Sequence, residues 1–173
     1  EEVLPDAVEN EVYPGVPTVG AMDPTEGYLI ENDYYVVEAA AQTGWLTITD
    51  KETGLVVTGG NRFVDAGDCG DEYNYCPPAE DQVIVGFSAP PRIDMHYTPL
   101  GSSLIIEGTL LLPAWLNEER TGRSAAQVTC PVRSTIRLLH GVRRVDISTT
   151  VDNQAGDHWL RVMFDVPVQT DES

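Results

Sequence analysis

The chain has 173 residues, enough to bury the core of one domain, and its 42% hydrophobic and 22% charged residues are ordinary for a globular protein. Its 28 acidic and 10 basic side chains give a formal net charge of −18, which disfavours nucleic acid and anionic membrane surfaces as partners. No apolar run reaches the roughly 18 residues of a membrane-spanning helix. The acidic composition, with Lys51 as the single lysine, is typical of proteins from salt-loving organisms.

The three cysteines are Cys69, Cys76 and Cys130, an odd number without a Cys-x-x-Cys pair. Zinc-ribbon and dithiol redox motifs are therefore not indicated. We expect three reduced thiols in a cytoplasmic protein. A bridge between Cys69 and Cys76 across a short loop stays open, because sequence does not fix the separation of their Cα atoms.

The chain begins with a proline-rich, acidic stretch and then becomes rich in β-forming residues. Residues 1–26 contain four prolines and little periodicity, which predicts an extended lead-in or linker before a β-domain over 27–173. Apolar runs at 28–30, 34–38, 45–50 and 55–57 are separated by short polar turns. Consecutive strands joined this closely pair as antiparallel neighbours.

The rest of the chain also reads as strands. A long polar loop is predicted from about Asp65 to Gln82, followed by strands near 83–87, 93–97 and 104–112. One helical turn would fit within 114–126. The predicted fold is all-β, an antiparallel β-sandwich of about ten to twelve strands, either complete or one part of a larger sandwich.

The clearest hairpin lies near the C-terminal end. Alternate residues from Val128 to Leu138 form an apolar face, and those from Val145 to Val151 are predicted to face inward across a turn at His140-Gly141. Pro131 interrupts this pattern and predicts an edge position or a bulge.

Residue patterns for catalysis or transition metals are weak. The serines lie outside nucleophile-elbow motifs, and His96, His140 and His158 lack the spaced partners of a helical zinc site. Asp157 and His158 read as an acid–base dyad or, preferably, as a turn residue and the start of a strand. In that strand Trp159 and Arg161 share a face, where the guanidinium can stack on the indole.

The acidic loop is the best candidate site. Asp65, Asp68 and Asp71 recur every three residues among glycines, so their oxygen atoms suit calcium as one alternative. A second interpretation makes the carboxylates acceptors for sugar hydroxyls, with Tyr73 and Tyr75 offering ring faces. A third, expected for at least two of the three aspartates, has them capping turns through backbone N–H groups.

An acid and nucleophile pair formed by Asp71 and Glu72 is disfavoured. Adjacent strand residues point to opposite faces, whereas glycosidase carboxylates stand on opposed walls about 5 to 9.5 Å apart.

Two motifs resemble a known family. Phe63-x-Asp65-x-Gly67-Asp68-x-Gly70-Asp71-Glu72-Tyr73-Asn74-Tyr75-x-Pro77-Pro78 and Asn153-x-Ala155-x-Asp157-His158-x-Leu160-Arg161-Val162 are similar to the C-terminal β-region of glycoside hydrolase family 38, the α-mannosidases, in its bacterial branch. Trp159 departs from the basic residue usual at its position. The resemblance covers about residues 27–173 and implies a supersandwich of the galactose-mutarotase-like type.

The resemblance also implies where the chemistry lies. Family members hydrolyse α-mannosides with retention and with the help of zinc, but the nucleophile and the zinc ligands belong to an N-terminal α/β barrel. No position here matches them, so we expect neither catalysis nor a cofactor in this chain alone, and zinc only in the catalytic domain of a parent polypeptide.

The family's β-region packs on that barrel and lends a tyrosine-bearing loop to the substrate cleft. Tyr73 matches this place best, and the candidate substrate-binding residues are therefore Tyr73, Asp71, Asn74, Glu72 and Tyr75. The alternative is a free-standing carbohydrate- or calcium-binding β-sandwich module.

Overall fold

A computed structural model describes residues 27–71 and 73–167 of the chain. The predicted lead-in at 1–26, the candidate Glu72 and the last six residues lie outside these ranges. Within the described ranges every regular element is a strand, and no helix is present that could cross a membrane. The strands are β1 (Tyr28–Glu31), β2 (Tyr35–Ala39), β3 (Leu46–Asp50), β4 (Val56–Gly67), β5 (Ile84–Val85), β6 (Arg92–Thr98), β7 (Gly101–Pro113), β8 (Gln127–Leu139), β9 (Asp146–Val151) and β10 (His158–Asp165).

The strands form two antiparallel sheets. The first sheet has the order β1-β2-β3-β4-β10, with β5 paired to β4, and the second has the order β6-β7-β8-β9. The early strands pair in sequence, as the short turns predict. β10 returns from the far end of the chain to pair with β4, aligning His158 with Gly67. The all-β antiparallel sandwich predicted from the sequence is confirmed.

Two apolar clusters fill the space between the sheets. Both take residues from each sheet, which is how a sandwich buries its inner faces. The first cluster consists of Ile30, Val37, Ala39, Leu46, Ile93, Leu104, Ile106, Ile136 and Leu138. The second consists of Phe63, Leu110, Leu112, Cys130 and Val132. The second cluster includes Phe63 of β4, the strand that leads into the acidic loop.

A buried polar bridge also joins the sheets. Asn61 interrupts the regular twist of β4 with a positive φ of 55° and is fully buried. The hydroxyl of Ser134 on β8 donates to Oδ1 of Asn61 at 3.0 Å and lies 2.9 Å from the hydroxyl of Thr149 on β9. Buried polar atoms need such partners, so this contact fixes how the two sheets meet.

The hairpin of β8 and β9 is predicted well on one strand and less well on the other. Cys130, Ser134 and Leu138 of β8 are buried as the alternation indicates. The prediction that alternate residues of β9 face inward is wrong in part. β9 is the edge strand of its sheet, and Ile147 and Thr149 are exposed.

The edge position or bulge predicted from Pro131 applies to its own place in the ladder and not to β8 as a whole. β8 lies between β7 and β9, but Pro131 is one residue beyond the last β9 pair, and its carbonyl accepts from the N–H of Asp152 at 2.9 Å. The missing N–H of the proline therefore points to the side where the β9 ladder has already ended.

Three boundaries differ from the predictions. β4 continues to Gly67, so Asp65 is a strand residue and the polar loop begins at Asp68. β5 is limited to two residues. Residues 114–126 contain no helical turn; a bridge between Leu116 and Arg123 closes them as a loop.

Candidate functional site

The candidate site is the loop from Asp68 to Val83, which leaves the sandwich at the end of β4 and returns at β5. Its first residue is held to the neighbouring strand, since the N–H of Asp68 donates to the carbonyl of Asp157 at 2.9 Å. Near its far end, Oδ1 of Asp81 accepts from the N–H of Gly67 at 2.9 Å. Both ends of the loop are thus bound where β4 ends and β10 begins.

Asp65 is a buried carboxylate beneath this loop. One oxygen forms an ion pair with Nη2 of Arg123 at 2.6 Å, and the other contacts Nδ1 of His158 on β10. The Arg123 contact is close in distance but is not a well-aligned hydrogen bond. The Asp65 and Arg123 side chains are each 2% exposed, so the carboxylate is neutralised within the protein and not by solvent.

Arg123 brings a second loop to the same place. It lies in the segment 117–124, whose Thr121 carbonyl accepts from the N–H of Glu80 at 2.8 Å. A side chain at Gly67 would place Cβ 2.8 Å from Cδ of Arg123 and 2.9 Å from Cγ of Pro78. Only glycine leaves room for this approach, so the Asp65 ion pair and the close packing at Gly67 join both loops to β4.

Within the loop, two aspartates organise the backbone. Oδ1 of Asp68 accepts from the N–H groups of Gly70 and Cys76, at 2.8 and 3.0 Å. Oδ1 of Asp71 accepts from the N–H groups of Tyr73 and Asn74, at 2.9 and 3.0 Å. These bonds confirm that two of the three predicted aspartates cap turns.

The Asp71 turn also has an electrostatic signature. The N–H groups of Tyr73 and then Asn74 stabilise the ionised carboxylate and lower the pKa of Asp71 from its usual 3.8. Hydrogen bonding, not a neighbouring cation, is the main cause.

The aromatic residues of the loop face outward. Tyr73 is 84% exposed, whereas the ring of Tyr75 lies 4.3 Å from that of Trp159. The guanidinium of Arg161 stacks on Trp159, 4.2 Å from the centre of its ring, as the sequence predicts. Tyr73, Tyr75 and Trp159 are named here the aromatic patch. Asp71, Tyr73, Asn74 and Tyr75 lie on this loop, and Tyr75 carries the ring contact with Trp159.

The remaining site predictions concern the calcium alternative and the interpretation of Asp157 and His158. The three aspartates of the calcium alternative have separate roles, with Asp65 paired to Arg123 and His158 and the other two bound to backbone. Among residues 27–71 and 73–167, no group of three or more His, Cys, Asp or Glu side chains is placed to hold a metal ion. Asp157 has a positive φ of 48° and contacts Arg120 at 3.2 Å, and His158 begins β10, so the preferred interpretation of a turn residue followed by the start of a strand is confirmed.

The two loop cysteines are free thiols in contact. The sulfur atoms of Cys69 and Cys76 are 3.3 Å apart, and the backbone N–H of Cys69 donates to the carbonyl of Cys76 at 2.8 Å. A hydrogen bond with Cys69 raises the pKa of the Cys76 thiol.

Sequence reasoning missed the pairing of Asp65 with His158 and Arg123. His158 lies 93 positions from Asp65, and no local pattern links them. One available signal was that both residues occur in the two family motifs, although that resemblance does not state which side chains meet.

The comparisons with known proteins agree on the family. The model of the glycosyl hydrolases family 38 C-terminal domain matches residues 30–173. A putative mannosylglycerate hydrolase of Halalkalibacterium halodurans is 26% identical over 141 residues, which cover 72% of this chain and 16% of that protein.

Two solved structures from Enterococcus faecalis are similar. An α-mannosidase of strain V583 has a TM-score of 0.73 at 27% identity, covering 80% of this chain and 17% of that one. A family 38 glycosyl hydrolase has a TM-score of 0.74 at 28% identity, covering 81% and 18%. The chain spans less than a fifth of the length of these relatives. Because the family model covers most of its residues, the chain belongs to the glycosyl hydrolase family 38 C-terminal domain family.

Proposed function

We propose that this chain is the non-catalytic β-domain of an α-mannosidase-like enzyme, that it packs on the catalytic barrel of the same polypeptide, and that its Tyr73 loop forms part of the carbohydrate-binding cleft. The observation that carries the proposal is Tyr73 itself, an 84% exposed aromatic residue on a turn that Asp71 holds in place. An ordered, outward-facing tyrosine offers a ring face and a hydroxyl to a sugar.

The surroundings of Tyr73 support a contact with another part of the enzyme. Tyr75 and Trp159 are each more than 40% exposed, and Val85 is exposed on the strand next to β4. Tyr75 and Trp159 are in ring contact, and exposed apolar side chains that group together commonly mark an interface. The similar proteins are about four and a half to five times as long as this chain, so the parent would have ample polypeptide to cover it.

Zinc would belong to that other part. The residues of this chain that the structure describes do not fit a zinc site, because they contain no suitable group of ligands. The reaction proposed for the parent is hydrolysis of an α-mannoside, and this domain would bind and orient the sugar without exchanging protons or electrons with it.

The test uses the full-length parent enzyme. Tyr73→Phe removes one hydroxyl, and loss of one hydrogen bond to a bound sugar is expected to lower kcat/KM for an α-mannoside about tenfold, equivalent to about 1.4 kcal/mol. Tyr34→Phe is the matched control, since Tyr34 lies at the turn between β1 and β2. Equal kinetics for the two variants would refute the role of Tyr73.

The packing part of the proposal has its own measurement. Hydroxyl-radical footprinting should show Trp159 protected in the parent relative to the isolated chain, while Trp115, also exposed, serves as the internal reference for uniform labelling. Equal labelling of Trp159 in both proteins would refute packing at the aromatic patch. Binding of mannose by the isolated chain would favour the free-standing carbohydrate-binding module instead.

A further inference from the structure

A pair of cysteines closes the base of the turn that carries Tyr73. The N–H and the thiol of Cys69 both donate to the carbonyl of Cys76, at 2.8 and 3.1 Å. Asp68 strengthens this arrangement by accepting from the N–H of Cys76. Backbone and carboxylate contacts thus hold the two residues side by side, and their sulfur atoms are 3.3 Å apart.

The three cysteines differ in access to solvent. Cys76 is exposed and Cys69 is partly exposed, whereas Cys130 is fully buried in the second apolar cluster. A small oxidant in solution can therefore reach the pair but not the third thiol. Sulfur atoms already in contact need little backbone movement to form a bond.

We propose that Cys69 and Cys76 form a redox-active dithiol site that closes to a disulfide in the presence of a low-molecular-weight disulfide. This inference goes beyond the proposed function and does not depend on it. The chemistry is thiol–disulfide exchange and has two steps.

In the first step, the thiolate of one cysteine attacks a sulfur of the small disulfide, forming a mixed disulfide and releasing one small thiolate. In the second step, the thiolate of the other cysteine attacks the cysteine sulfur of the mixed disulfide and expels the second small thiol. Two cysteine thiols are oxidised, one small disulfide is reduced to two thiols, and the two cysteine protons end on those products.

Closure would tether the turn. The new bond makes a ring that contains Asp71, Tyr73 and Asn74, and a short closed ring has less conformational freedom than an open loop. Oxidation is therefore expected to restrict the residues between the cysteines while leaving the sandwich unchanged.

The test uses the complete 173-residue chain with oxidised glutathione as the small disulfide, at about pH 9, because the raised pKa of the Cys76 thiol calls for a higher pH to form its thiolate. Cys130→Ala retains the pair, and Cys76→Ser breaks it. The mass of the intact chain reports the loss of two hydrogens on bridging or the gain of bound glutathione. Chymotrypsin cleaves after Tyr73 and Tyr75, so a bridge leaves the peptides 64–73 and 76–87 joined.

The expected result for Cys130→Ala is an internal bridge. Thiols on a short loop meet at an effective concentration of about 1 mM, so at about 10 μM chain the internal bridge is favoured about 100-fold over a bridge between chains. Cys76→Ser should end as a mixed disulfide with glutathione on Cys69. Unchanged thiols, two bound glutathiones or a covalent dimer in Cys130→Ala would overturn the proposal.

A second measurement tests the tethering. Amide hydrogen exchange of residues 70–75 should slow about tenfold in the bridged Cys130→Ala chain, with β7 unchanged as the internal reference. A bridge that leaves this exchange at its reduced-state rate would overturn the tethering. Both readouts use this chain without a catalytic domain, so their failure is distinguishable from failure of the proposed role of Tyr73.

Discussion

Replacing Asp65 with asparagine is expected to lower the free energy of unfolding by about 3 kcal/mol. The substitution keeps the shape of the side chain but removes its charge, leaving the guanidinium of Arg123 unpaired. Since that guanidinium side chain is 2% exposed, water does not replace the lost partner. Breaking a buried pair from one side costs about 3–5 kcal/mol, and the amide oxygen still offers His158 an acceptor, which favours the lower value.

The assay is equilibrium unfolding in urea followed by tryptophan fluorescence. Asp94→Asn is the matched control, because its partner Arg92 is 72% exposed and such surface pairs contribute about 0–1 kcal/mol. A free energy for Asp65→Asn within about 1 kcal/mol of the control would refute the reasoning. Combining Asp65→Asn with Arg123→Met should then be less than additive, since the second change removes the stranded charge.

Two further predictions concern the core and the loop. Leu110→Ala should lower the free energy of unfolding by about 2–5 kcal/mol, because Leu110 is buried between the sheets. The same substitution at its neighbour Leu111, which is 37% exposed, should cost under about 1 kcal/mol. Equal costs in urea unfolding would contradict the assigned faces. Asp71 has a lowered folded-state pKa, so its turn is stabilised above pH 3.8 and loses that stabilisation as pH falls through the lower folded value. The amide chemical shift of Tyr73 should therefore titrate with a midpoint below 3.8, and a midpoint at or above 3.8 would contradict the hydrogen-bonded turn.

The fold was predictable for strands in which apolar and polar residues alternate and only the apolar face is buried. The pattern of β8 indicates its buried face because each sheet of a sandwich has one inner surface. The same rule fails for β9, whose alternating residues are oriented correctly but lie at an edge. Strand order decides how much a strand is covered, and strand order depends on contacts between distant segments that no local pattern contains.

Within the candidate site, sequence predicted only the side chains that form hydrogen bonds with nearby backbone groups. Asp68 and Asp71 bond backbone N–H groups within eight residues, and the spacing of Asp and Gly indicates such turns. Asp65 was assigned to the same loop because it shares this composition. It instead lies near the C-terminal end of β4, where its burial and its ion pair with Arg123 determine its role.

The buried charges explain how a surface turn can be held in a defined place. Asp65 connects β4 to β10 through His158 and to the segment 117–124 through Arg123. That segment in turn binds the far part of the acidic loop through the carbonyl of Thr121. Apolar contacts have no preferred direction, whereas a carboxylate bound by Arg123 and by His158 fixes the relative positions of β4, β10 and the segment 117–124. The base of the acidic loop is therefore anchored by residues that are closed to solvent, while Asp71 organises the turn of Tyr73 itself.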